Sequence, residues 1–257
     1  MKKAAFIITA LLILALLTGC GGAGKADVAQ TLQFKTPAPT KTEAPMQTPE
    51  ASEEPDDSQL YYYSLESGLM ENYDDEDALK AKSDAIVTGC VVEQKNFFAP
   101  NGFFYTFQKY TVEEAFKGKL KAGQSITILE MGGKIDAKAY VQKTGMPDPE
   151  AFYEHNGITS DDILIEGCDG YFPTKVGDKT LLFLKDVDSE DYWLPEDAYY
   201  LAGEYKGRLF QTEGTKYARP EAFNGENNIC QRGYSLDEAI KNPELVIDIN
   251  DLKKGLS

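Results

Sequence analysis

The chain has 257 residues, 42% of them hydrophobic, and a formal net charge of −16. That length allows one or two domains, and the hydrophobic share is that of an ordinary globular chain. So acidic a protein repels phosphate backbones, which argues against nucleic acid as a partner.

The chain opens on the basic "MKK" and continues with "AAFIITALLILALL", an apolar run of 14 residues. A membrane-spanning helix needs about 20 such residues. A basic start, a short apolar run and the small residues Thr18 and Gly19 make residues 1–19 a secretory signal peptide. "LTGC", residues 17–20, resembles the lipobox of bacterial lipoproteins. The resemblance implies that Cys20 becomes the mature N-terminus and carries a diacylglycerol on its thiol. The protein would then sit on the extracytoplasmic face of the bacterial cell membrane. Each buried CH₂ contributes about 0.8 kcal/mol, so two acyl chains hold a protein firmly. The alternatives are a plain signal peptide with an incidental cysteine and an uncleaved anchor helix.

Residues 20–59 hold five prolines in "TPAPTKTEAPMQTPEASEEPDD", many Thr and Glu, and almost no large apolar side chains. Such a segment cannot build a core. Extended at roughly 3.1 Å per residue, it is a spacer of up to about 120 Å. Residues 60–257 are enough for one domain with its own core.

Within that domain the aromatic "YYY" of residues 61–63 comes first. "DEDALKAKS" (75–83) has acids early and lysines late, matching the helix dipole, and predicts a short helix. "SDAIVTGCVVEQKN" alternates as a strand, "APNG" turns, and "FFYTFQKYTVEEAFKG" returns, a hairpin with an aromatic tip. "KAGQ" leads into a third strand, "SITILEMGG", and "DAKAYVQKTG" is a short helix closed by Gly145. Residues 146–162 are loop-like, with weak helical character in their middle. "ILIEGC" is a short strand and "TLLFL" a buried one. Residues 197–214 look like another hairpin. Ser235 with Glu238 three residues later forms a capping box, and residues 242–255 continue as a helix or as a short strand plus helix.

This order predicts a mainly β fold: a small antiparallel OB-like barrel with short flanking helices. The segments 83–92, 112–118, 125–130, 168–170 and 176–184 resemble the netrin-like and TIMP-like module, in which an "FKG" strand, a Cys-Gly region and a "VG-x-x-x-LLF" strand recur. The resemblance spans roughly residues 83–185 and implies an OB-type barrel. It does not bring inhibitor function. That activity needs an unmodified N-terminal cysteine held against the barrel, whereas Cys20 stands about forty residues before the domain and is expected to be acylated.

Chemistry is sparse. His155 is the single histidine, and no G-x-S-x-G, HExxH or P-loop pattern occurs. Cys90, Cys168 and Cys230 lack CxxC spacing, so no metal site and no cofactor are expected. An exported chain allows one disulfide, with Cys168–Cys230 the preferred pair and three reduced thiols the alternative. "DVDSEDYWLPED" (186–197) places Asp191 and Asp197 where an EF-hand loop needs Gly and Glu, so it reads as a solvated turn. OB-type barrels bind ligands between the loops joining strands one to two and four to five. Phe98 and Phe103 fall at the first loop, Tyr192 and Trp193 near the second, and these four are the candidate binding residues. The expectation is a non-enzymatic binding or interaction module, with an envelope protein or wall ligand as partner. The alternatives are an envelope enzyme using carboxylates or a thiol, and a passive accessory lipoprotein.

Overall fold

A computed structural model describes residues 60–66, 73–99, 102–187, 198–224 and 229–256, all within the compact unit Ser52–Ser257. The signal segment, Cys20, the linker, Tyr192 and Trp193 lie outside the described residues.

The described chain is mainly β. In order it forms β1 (Leu60–Leu65), α1 (Glu76–Lys82), β2 (Ala85–Phe98), β3 (Phe104–Lys117), β4 (Ser125–Met131), β5 (Gly133–Asp136), α2 (Ala137–Thr144) and α3 (Pro149–Asn156). Then follow β6 (Ile163–Cys168), β7 (Lys179–Asp186), β8 (Ala198–Leu201), β9 (Arg208–Gln211), β10 (Lys216–Arg219), α4 (Leu236–Ala239), β11 (Leu245–Asp248) and α5 (Ile249–Leu256). The strands form two sheets. One has eight strands in the order β11-β10-β9-β7-β2-β3-β4-β8, and the other three in the order β1-β6-β5.

The large sheet turns back on itself through β8. That strand pairs in parallel with β4 (Thr127 opposite Ala198) and antiparallel with β7 (Leu184 opposite Leu201). Alternation explains what fills it. Val87, Val91, Tyr110, Val112, Ile126, Ile128, Leu182, Leu184 and Tyr199 pack into one cluster. Ile86, Leu181, Phe183, Leu209, Tyr217 and Ile247 point to the opposite face, where Leu79 of α1 and Leu252 of α5 cover them. β7 is therefore buried on both faces, which is why "TLLFL" is an unbroken apolar run. Each such side chain contributes about 1.5–3 kcal/mol.

The β2–β3 hairpin pairs Phe98 with Phe104, and irregularities at Ile86/Val87, Thr88/Gly89 and Val91/Glu93 bend its base. Gly89 sits at one of them. A Cβ there would lie 2.0 Å from the carbonyl oxygen of Thr111 and 2.7 Å from the Tyr110 ring, so the strands can approach only over glycine. α1 forms as expected, with the Asp75 carboxylate accepting from the Ala78 amide at 2.7 Å.

Two local expectations change and two segments gain a definite form. Residues 149–156 are a full helix, capped by the Asp148 carboxylate, opened by Pro149 and closed by Gly157 in the left-handed region. Tyr61–Tyr63 belong to a strand that pairs in parallel with β6, a partner about a hundred residues away. The Ser235–Glu238 capping box is not made, because Ser235 gives no side-chain cap to α4. Residues 242–255 resolve to the strand-plus-helix alternative.

Residues 197–214 are not a hairpin. β8 and β9 lie end to end along one edge of β7, with Leu201 opposite Leu184 and Arg208 opposite Leu182. Residues 202–207 loop out between them. Phe183 holds both ends of this excursion: its N–H donates to Gly207 O at 2.7 Å and its carbonyl accepts from Ala202 N at 2.8 Å.

Candidate functional site

The excursion forms one wall of a cavity of about 580 Å³. Phe103 and Tyr105 at the start of β3, Leu129 and Met131 at the end of β4, Tyr171–Pro173 after β6, and Tyr73 before α1 form the others. Seven of the lining residues carry aromatic rings: Tyr73, Phe103, Tyr105, Tyr171, Phe172, Tyr200 and Tyr205.

The excursion is held rigidly. Gly203 has φ +67, and a Cβ there would meet the Tyr73 ring at 2.5 Å, so glycine lets the loop close on that ring. Arg219, 1% exposed, donates to three backbone carbonyls: Lys206 O from Nε at 3.0 Å, Asp74 O at 3.2 Å and Tyr73 O at 2.9 Å. Lys206 is ion-paired with Asp74. The Tyr205 ring stacks on Tyr171 at 4.0 Å and 12°, and its hydroxyl donates to Asp169 at 2.9 Å.

Glu204 and Asp169 are the two non-glycine residues with positive φ among those described, at 59° and 48°. Such backbone costs about 1–3 kcal/mol and persists where surrounding structure enforces it. Burial raises the Glu204 carboxyl above its ordinary value and the Asp169 charge adds to this, while the Cys168 thiol, donating at 3.9 Å, opposes it. Lys185 reaches the Tyr73 hydroxyl at 3.4 Å.

Beneath lies a buried polar cluster. Arg208 pairs with Glu130 at 2.8 Å, each side chain 3% exposed. Glu130 also accepts from Gln108 at 2.8 Å and from the Thr174 amide at 2.8 Å. Arg208 donates a second time, to Phe172 O at 2.7 Å. Its Nε has no acceptor among the described residues.

The four candidate residues separate. Phe103 lines the cavity and is 49% exposed. Phe98 stacks on Phe104 at 4.5 Å and packs against the core under the small sheet, away from the cavity lining. Tyr192 and Trp193 lie outside the described residues.

Of the two thiol readings the structure has the reduced one: Cys168 and Cys230, the possible disulfide pair, are both thiols. They belong to different surroundings. Cys168 ends β6 at the cavity beside Glu204, whereas Cys230 packs with Tyr63, Tyr140 and Leu164 in the core between the small sheet and its helices. Burial pushes the Cys230 thiol up to about 12. Cys90, in β2, is half-buried.

Glu204, Tyr205, Tyr171 and Arg208 escape sequence reading. The one local signal is "AGEYKG", in which glycines bracket an acid and an aromatic ring. Compared with protein-family models, curated proteins and solved structures, the chain matches none.

Proposed function

We propose that this chain is a lipid-anchored lipoprotein of the bacterial cell envelope, tethered through Cys20, whose folded part is a non-enzymatic binding module. The observation that carries the binding reading is the aromatic-walled cavity. Its size falls within the range of small-ligand clefts, about 300–1,000 Å³. Its walls come from distant parts of the chain and are fixed by Arg219 and the Phe183 clamp. The tether reading rests on the "LTGC" motif behind a short apolar run.

An OB-type barrel, as in the netrin-like module, is part of this reading. Strands β2, β3, β4, β8 and β7 each pair with the next, β8 returns to β7, and helices lie between β4 and β7. A meander of three strands, a helical insertion and two further strands in this order support an OB-type barrel.

The enzyme alternative would centre on Cys168, whose thiol donates to the Glu204 carboxylate at 3.9 Å beside the cavity.

Two experiments test the proposal. Cys20→Ser should shift the protein from the membrane fraction to the medium and abolish labelling with radioactive palmitate, and unchanged membrane retention would overturn the tether. Crosslinking on intact cells, followed by identification of captured species, tests the module. A species captured by wild type and lost with Phe103→Ala supports it. Identical capture by both, or none by either, would overturn it.

A further inference from the structure

Resting on the binding reading above, we infer that the cavity takes a neutral saccharide, one or two sugar rings in size. Three properties of the lining select this class. The first is charge balance. Glu204 and Glu130 stand against Lys185 and Arg208 on the same lining. An organic cation would meet Lys185 and Arg208, while an anion would meet Glu204 and the acidity of the whole chain, −16. An uncharged ligand meets neither penalty.

The second property is hydrogen-bonding sense. Lys185 on the lining is a donor, its ammonium 3.4 Å from the Tyr73 hydroxyl. Glu204 offers the opposite, a carboxylate that accepts. A hydroxyl both donates and accepts, so a polyhydroxylated molecule serves both groups.

The third property is the walls. Aromatic faces are electron-rich and attract the slightly positive hydrogens of C–H groups. A pyranose presents C–H on its faces and hydroxyls around its rim. It therefore suits rings such as Phe103 and Tyr205 with polar groups placed between them. A purely apolar ligand would desolvate Lys185 and Glu204 without offering either a partner.

The test is saturation-transfer NMR on the full chain in a sugar-free detergent. The probes are maltose, cellobiose and N,N′-diacetylchitobiose, with glucosamine as a cationic ring and glucuronate as an anionic one. At least one neutral disaccharide should receive saturation at its ring protons. Its affinity should fall roughly tenfold in Glu204→Ala, the loss of one hydrogen bond to a charged group, and similarly in Phe103→Ala, whose ring is half-exposed, with circular dichroism checking that both variants fold. Beads carrying the same disaccharide through its reducing end separate the two sources: retention marks the terminus of a glycan, binding of the soluble form alone marks a free sugar. If glucosamine or glucuronate binds instead and the variants abolish it, the saccharide inference fails while the cavity remains a binding site. If neutral sugars bind equally well to both variants, the inference and the cavity reading fail together. If no probe binds, the inference fails.

Discussion

The Glu130–Arg208 pair offers the sharpest test of how the fold holds the cavity floor. Glu130→Gln preserves shape and removes the charge. In the protein Glu130 faces Arg208 at 2.8 Å and accepts from Gln108 and from the Thr174 amide, with both charged side chains 3% exposed. The amide turns an acceptor into a donor against a guanidinium and leaves that buried charge without its counter-ion. Breaking a buried pair from one side costs about 3–5 kcal/mol. For a domain of about 200 residues each kcal/mol lowers Tm by about 2–4 °C, so the melting temperature should fall by roughly 6–20 °C. Urea unfolding should show a lower midpoint with an unchanged slope. The companion variant, Glu130→Leu with Arg208→Met, removes both charges and should cost less than Glu130→Gln alone, because neither desolvated ion remains. A loss below about 1 kcal/mol in Glu130→Gln, or a double variant worse than the single one, would refute the view that the charges are desolvated partners.

Other outcomes follow from separate parts of the structure. Burial pushes the Glu166 carboxyl up to about 7, from an ordinary 4.5. The folded state thus binds this proton more tightly than the unfolded chain. The group's contribution is full below about pH 4.5 and is lost as pH rises through 7, on the order of 3 kcal/mol. The difference between wild type and Glu166→Gln in urea titrations at pH 4.5 and 7.5 should show it, and parallel profiles would count against it. In denaturant, Cys90, Cys168 and Cys230 should all react with Ellman's reagent without prior reduction, while native Cys230 should resist iodoacetamide at pH 8 because burial holds its thiol protonated. Recovery of only one reactive thiol would restore the disulfide. Gly89→Ala forces a Cβ to within 2.0 Å of the Thr111 carbonyl. It should destabilise by at least the 1–3 kcal/mol typical of overpacking, measured by thermal melting, and a neutral effect would mean that the hairpin base is pliable.

Local rules carried the reading of the large sheet. Alternation marked β2, β3 and β4, an apolar run marked β7, and dipole-matched charges marked α1, because in each the nearest neighbours in sequence decide the outcome. In the small sheet β6 was legible as a strand, but its pairing was not. β1 finds its partner near residue 165 by a parallel pairing, and no local pattern announces contact over such a separation. "DAYYLAGEYKGRLFQTEG" was read as a hairpin because two strands flanked glycines, yet both strands prefer the open edge of β7 to each other. At the site, Phe103 was visible as an exposed ring at a turn. Arg208 and Glu130 were not, since charged residues default to the surface and their burial follows only from the fold.

The clamp at Phe183 separates two kinds of change that usually interfere. Both ends of the 202–207 excursion are tied to one residue of β7, so the ladder on either side keeps its register while the side chains between Gly203 and Gly207 change. Doubling the length of such a loop costs only about 0.6 kcal/mol in closure entropy. The segment is in effect an interchangeable cassette. Drift in its sequence can retune what the cavity accepts while the sheet that carries it stays the same, and an engineer could exchange it for the same reason.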